Sequence, residues 1–321
     1  MNPAIMGCAF TVADVICSRC VRDGGNMTSQ KFGSATGTVV KLNTVFDYLN
    51  FYTNALKNKP SSSRRFRLKY LDAFAGSGAV ELSDAETLPL LGGTEDFDQV
   101  IEGSARRALQ VNHPFAEYIF SDVKRRNVQE LESLKHEFPH LANRIKITRD
   151  DANKVIHEFC RDLEEMDRAV VFLDPYGNQV NFETLCIIAQ SRKIDLWYLF
   201  PSWWGVERQI SSEGKITVES GSSLDRLFGT SDWRDEVIRN RQDVDLFGTR
   251  DVPEKIATVD TVTRYMIKRM KTIFGEGVSE KWLPLGRNGQ PGYSLIFACA
   301  NQSDSAKKLA LKVANAVMAR S

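Results

Sequence analysis

Apolar residues change their spacing several times along this chain, and each change marks an element. From 36 to 57, Val39, Leu42, Val45, Phe46, Leu49, Tyr52 and Leu56 recur at threes and fours, which predicts an amphipathic helix. Pro60 and three serines between Lys57 and Arg65 end it. Compact apolar runs then alternate with helical spacing. Leu68–Asp72, Glu117–Asp122, Arg144–Thr148, Ala169–Asp174 and Ile194–Phe200 read as strands. Gly103–Asn112, Val123–Phe138, Asn153–Leu163 and Phe182–Gln190 read as the helices between them. Residues 79–100, rich in Asp, Glu, Pro and Gly, read as a long loop. Strands without a polar face, separated by helices, predict a parallel sheet with right-handed crossovers.

After Pro201 the pattern changes. Residues 202–255 are polar, with Trp203, Trp204 and Trp233 scattered through them, and read as an inserted lobe of short helices. Lys255–Ile273 returns to helical spacing and stops near Gly275. Trp282–Leu285 and Tyr293–Ala300 flank Gly286-Arg287-Asn288-Gly289, which predicts a β-hairpin at or near the sheet edge. That makes seven strands, mostly parallel. A final helix is expected over Asp304–Met318. The organisation is then an unstructured leader (1–27), a helical N-terminal extension (28–66), an α/β core (67–201), the inserted helical lobe (202–255), and a segment that completes the core (256–321).

Composition narrows the setting. Of 321 residues, 42% are hydrophobic and 26% charged, ordinary for a soluble globular chain. A net charge of +1 provides no global field for nucleic acid, so any basic surface has to be local. No apolar run is long enough to span a membrane, and the leader lacks the apolar stretch of a secretory signal, so no membrane association and a cytoplasmic location are expected. Cys160, Cys186 and Cys299 lie in apolar contexts and are expected as buried thiols. Cys17 and Cys20 form a lone CxxC with only Cys8 nearby, short of a four-ligand zinc site, and no metal is expected.

Two apolar runs end in chemistry. Tyr70-Leu71-Asp72-Ala73-Phe74-Ala75-Gly76-Ser77-Gly78 has the form of a strand feeding a glycine turn. Such a turn lets the backbone approach a ligand closely, and Asp72 is placed to accept from an ammonium. The segment reads as a loop for S-adenosylmethionine (AdoMet), with Asp72, Phe74, Gly76 and Gly78 in it. The full Gly-x-Gly-x-x-Gly dinucleotide spacing is absent. Asp122 ends the second strand, where an acid can accept both ribose hydroxyls or cap the next helix. Asp150-Asp151 follows the third strand; either carboxylate could accept from the adenine amino group, or cap a helix.

The second run, Val170-Val171-Phe172-Leu173-Asp174-Pro175-Tyr176-Gly177, resembles the Asp-Pro-Pro-Tyr signature of amino-methyltransferases in its shorter Asp-Pro-Tyr-Gly form, similar to that of tRNA guanine dimethyltransferases. An exocyclic amino group is a poor nucleophile because its lone pair is delocalised. A carboxylate (Asp174) and a carbonyl (Pro175) that each accept one N–H turn that lone pair towards the methyl donor, while Tyr176 stacks on the base. Trp203, Trp204 and Arg208, just past the fifth strand, are candidate substrate contacts, and indoles there suit an unstacked base. Three basic clusters are candidate backbone contacts for RNA or DNA: Arg64/Arg65/Arg67/Lys69, Lys124/Arg125/Arg126, and Arg264/Lys268/Arg269/Lys271.

Several segments together resemble the three-Cys-motif partner family: Lys31-Phe32-Gly33, Lys41-Leu42, the Leu71–Gly78 loop, Gly103-Ser104-Ala105, Leu173–Gly177, Leu199-Phe200-Pro201 and Tyr293–Ala300. The resemblance covers about 28–321. It implies a class I methyltransferase (Rossmann-like) fold, AdoMet as cofactor, and pairing with a partner protein that carries a three-cysteine motif of radical-AdoMet type. The cysteines in the family's name belong to that partner. The expected activity is AdoMet-dependent N-methylation of a nucleobase amino group in RNA or DNA. The rival expectation is a non-catalytic module that uses the same fold for recruitment.

Overall fold

Helix α1 (Ser34–Leu56) leads into β1 (Arg67–Asp72), followed by the short strands β2 (Ala79–Glu81) and β3 (Val100–Glu102). The first crossover then runs through α2 (Ser104–Leu109) to β4 (Glu117–Ser121). Helices α3 (Arg125–Glu132) and α4 (Leu134–Glu137) lead to β5 (Ile145–Thr148), and α5 (Ala152–Arg161) to β6 (Asp167–Leu173). Helix α6 (Phe182–Ser191) precedes β7 (Ile194–Phe200). The lobe holds α7 (Val218–Phe228), α8 (Trp233–Val237), β8 (Ile238–Asp245) and β9 (Gly248–Lys255). Helix α9 (Val259–Phe274), β10 (Val278–Arg287), β11 (Gln290–Cys299) and α10 (Asp304–Met318) complete the chain. This computed structural model describes residues 34–61, 64–81, 100–245, 248–287 and 290–321. The leader, its three cysteines and Lys31-Phe32-Gly33 lie outside the described residues.

The large sheet has seven strands in the order β10-β11-β7-β6-β1-β4-β5. The pairs β5–β4, β4–β1, β1–β6 and β6–β7 are parallel, and β11 is antiparallel to both β7 and β10. One reversed strand inserted beside an otherwise parallel sheet is the class I methyltransferase arrangement. Strand β7 is buried at all seven positions, and β6 is buried along both faces, as a central parallel strand should be. Alternate residues serve opposite layers. Val171, Leu173, Leu196 and Tyr198 pack under α5, α6 and α9. Val170, Phe172, Trp197 and Phe297 pack under α1, α2 and α10. Trp197 meets Tyr48 of α1 edge-on at 5.3 Å between centroids, so the N-terminal helix is part of the core.

Five expectations change. Residues 79–81 and 100–102 pair as antiparallel strands, so the predicted loop has a sheet base; its interior lies outside the described residues. The predicted helix over 123–138 is two helices, with Ser133 between them donating to the Glu130 carbonyl. The second half of the lobe is an antiparallel ribbon, not helices; its register sets Arg239 opposite Glu254, an opposite-charge pair. Helix α9 begins later than predicted because Thr258 and Thr261 form a reciprocal cap. Of the three described thiols, only Cys299 is fully buried.

Candidate active site

The register places the acids. Asp72, the last residue of β1, pairs with Phe120 of β4 and Phe172 of β6. Asp122 and Asp174 therefore stand two residues beyond Asp72's partners on the two flanking strands, about 4.8 Å away laterally. Asp150 lies two residues past Thr148, which pairs with Ser121. All four acids stand at the carboxyl ends of adjacent parallel strands, where open α/β sheets bind ligands.

Asp72 is fully buried. It accepts from the Phe74 N–H at 3.1 Å and from Ser104 Oγ at 2.5 Å. Burial pushes its carboxyl up to about 7 and the nearby Asp174 charge adds to that; the Ser104 and Phe74 bonds and the Lys41 charge oppose it. The loop beyond turns through left-handed backbone at Gly76 (φ 58°) and Gly78 (φ 74°). Among the described residues nothing stands within 4 Å of where a Cβ at Gly76 would lie, so they leave the backbone of the turn open to close approach. Arg106 clamps the loop: Nη1 donates to the Gly78 carbonyl at 2.5 Å, and Nε and Nη2 fork onto Glu137. A buried acid and a glycine turn open to close approach fit the methionine end of AdoMet.

The other acids divide between two roles. Asp122 accepts from the Lys124 N–H at 2.7 Å, a local turn bond ahead of α3. Asp151 caps α5, accepting from the Asn153 and Lys154 N–H groups. Asp150 pairs with Lys154 instead, which together with the Asp151 N–H holds its carboxyl below the usual range. Asp150 is the acid of this pair not used as the cap.

Asp174 is ion-paired with Lys41 of α1, the two side chains 26% and 12% exposed. Lys41 stands in one of the segments that carry the family resemblance, but neither composition nor spacing gave it a role in the site, because it reaches the acid across 133 positions. After Pro175, Tyr176 projects into solvent at 88% exposure, and Gly177 takes φ 75°. Asn178 ties this loop to the next one: its Nδ2 donates to the Gly205 carbonyl at 2.6 Å. Asn153 secures the loop from α5, donating to the Gln179 carbonyl at 2.9 Å. Tyr293 of β11 is half-buried, and burial with the Asp174 charge raises its phenol.

Ser202–Val206, past β7, forms a single π-helical turn, a form common at functional sites. Trp203 and Trp204 meet edge-to-face at 4.4 Å, and the Arg208 guanidinium lies 5.1 Å from the Trp204 ring and 5.9 Å from the Trp203 ring. Trp204 is 45% exposed, and its indole lies against Gly292 of β11. The basic clusters do not all face this site. Arg67 and Lys69 begin β1 at the opposite end of the sheet, paired with Glu164, Asp167 and Glu117, and Arg64 pairs with Glu165. On α9, Arg264 stacks on Trp282, Arg269 donates to the Phe228 carbonyl, and Lys268 and Lys271 pair with Glu236 and Glu280. Lys124 and Arg125 remain exposed beside Asp122.

No family model and no curated protein matches this chain. Among solved structures it is similar to a Legionella pneumophila protein of the DUF519 family at 14% identity, covering 74% of this chain and 92% of that one, TM-score 0.38. It is similar to magnesium protoporphyrin IX methyltransferase of Synechocystis PCC 6803, solved with bound SAH, at 14% identity over 84% and 88%, TM-score 0.32. It is also similar to human methyltransferase 10 domain containing protein at 9% identity over 66% and 82%, TM-score 0.29. The strand order itself carries the fold assignment.

Proposed function

We propose that this protein is an AdoMet-dependent methyltransferase that methylates an exocyclic amino group of a nucleobase in RNA or DNA. The observation that carries the reading is the placement of Asp72 and Asp174 on neighbouring strand ends, each beside a left-handed glycine turn. AdoMet supplies an electrophilic methyl group when bound. Asp72 would accept from its ammonium, the Gly76–Gly78 turn would face its methionine end, and Asp122 and Asp150 would accept from its ribose and adenine. Asp174 and the Pro175 carbonyl would each accept one N–H of the substrate amine and hold its lone pair out of conjugation. Tyr176, Tyr293, Trp203 and Trp204 would supply stacking faces, and Arg208 a cation beside them.

The motif resemblance to three-Cys-motif partners adds a finer reading, in which the enzyme acts together with a radical-AdoMet-type protein. The Lys41–Asp174 pair favours one rival, a recruitment module whose acid stays engaged. Methyl transfer from labelled AdoMet to a panel of tRNA, ribosomal RNA and DNA separates the two. Under the enzyme reading, Asp174→Ala lowers transfer about 10²–10⁴-fold while calorimetric AdoMet affinity stays within a few-fold of the wild-type chain. Parallel loss of both would make Asp174 a cofactor ligand, and the absence of transfer to any polymer would favour recruitment.

A further inference from the structure

A second cavity opens at the other end of the sheet. It holds about 630 Å³, between α1, α10 and the first residues of β6 and β7. Because β11 runs antiparallel, its last residue, Cys299, reaches the same place. The proposed methyl-transfer chemistry uses none of its walls.

Its floor is an acid. Asp195, the second residue of β7, is 8% exposed and lines the cavity. Its carboxylate accepts from Tyr48 Oη at 2.6 Å, and the Cys299 thiol lies beside it. That donor is neutral, and among the described residues no ion pair holds the acid. A carboxylate has about four acceptor positions, so capacity is left for a donor arriving from the cavity. Burying such a group without further donors is costly.

The walls are flat. Tyr48 and Tyr52, both buried, stand 6.2 Å apart between centroids, and Phe66, also lining the cavity, carries the Arg168 guanidinium 4.2 Å above its ring. The mouth is basic: Arg168, Lys193 and Lys59 all line it. Arg168 Nη1 donates to the Glu165 and Asp167 carbonyls and Lys193 Nζ to the Leu163 carbonyl, which fixes the cations at the rim and leaves further N–H groups on each. A ligand that satisfies all three features has N–H donors at its inner edge, a planar body and an anionic outer end. An acyl chain would bring Asp195 no donor beyond Tyr48. Adenine presents one donor beside an acceptor, whereas guanine presents two adjacent donors, N1–H and N2–H, to a carboxylate.

We propose that this cavity is a binding site for a guanine mononucleotide, with the base on Asp195 beside the aromatic lining and the phosphate at Arg168 and Lys193. The volume lies within the usual range for small-molecule sites.

The test is calorimetric titration of GMP into the full chain, with and without excess S-adenosylhomocysteine. The proposal expects GMP binding that is indifferent to S-adenosylhomocysteine, with AMP and guanosine each at least tenfold weaker. It expects Ala55→Phe, which fills the cavity from α1, and Asp195→Asn to weaken GMP at least tenfold. Circular dichroism and thermal melting check that both variants fold, and Arg168→Gln, at the rim, provides a second variant that should remove the preference for GMP over guanosine. No GMP binding at millimolar ligand, displacement by S-adenosylhomocysteine, unchanged affinity in the folded variants, or preference for palmitate would each overturn it.

Discussion

Asp72 concentrates the chemistry of the cofactor end in one side chain. Its carboxyl keeps a proton up to about 7, whereas an unfolded aspartate releases it near 3.8. Between those values the folded chain binds the extra proton, so this group's contribution to stability declines as pH rises across the window. Ligand binding has the opposite sign, because an ammonium favours the ionised acid. AdoMet affinity should therefore rise about tenfold per unit as pH approaches 7 and level off above it. Calorimetry across that range checks this, and Asp72→Asn should remove the slope. Sequence patterning located Asp72 and Asp174 because each ends an apolar run before a glycine turn. Lys41, Ser104, Asn153 and Asn178 carried no such signal. They reach the site through tertiary folding, and an isolated lysine on a helix or a serine at a helix start looks the same whether or not it meets an acid.

At the scale of elements, two loops are joined by a close contact. A Cβ added at Gly205 would stand 2.1 Å from Asn178 Oδ1 and 2.8 Å from the Pro201 ring. Gly205→Ala should cost about 1–3 kcal/mol in chemical denaturation and displace Asn178 from the loop that bears Asp174. Methyl transfer should fall more than AdoMet affinity in this variant; equal loss of both would mean that the two loops are coupled to the cofactor end as well. The core elements were legible because burial on both faces leaves continuous apolar runs such as Ala169–Leu173. The ribbon of β8 and β9 was not. Its strands are polar, so neither a two-residue nor a 3.6-residue apolar period exists to be read, and cross-strand pairing alone defines it. The split between α3 and α4 escaped for a related reason: a serine hydrogen bond, not an apolar change, interrupts the helix.

Across the whole molecule, charge is sorted by pole. The cluster at the start of β1 is neutralised by Glu117, Glu164 and Asp167, while Lys124 and Arg125 stand exposed at the end where the acids gather. If a polymer is the substrate, Lys124→Glu with Arg125→Glu should weaken RNA or DNA binding and flatten its salt dependence by about 0.7 per lost contact for a single strand. Arg64→Glu, on the far pole, should leave both unchanged. Filter binding over a salt series reads the two variants directly, and equal effects from both would mean that the polymer does not approach from the acidic end.

Helix α1 contributes more than packing, since its Lys41 holds the acid at the end of β6. The arrangement creates a thermodynamic trade. A substrate amine that donates to the Asp174 oxygen now held by Lys41 competes with that ion pair, and by reciprocity whatever tightens the grip of α1 on that oxygen weakens substrate binding by the same factor. Substrate should thus loosen the helix that the Lys41–Asp174 pair secures. Amide exchange along 34–56 should quicken when substrate is added and slow when AdoMet is added alone, and Lys41→Met should abolish the substrate response while leaving the sheet's protection intact.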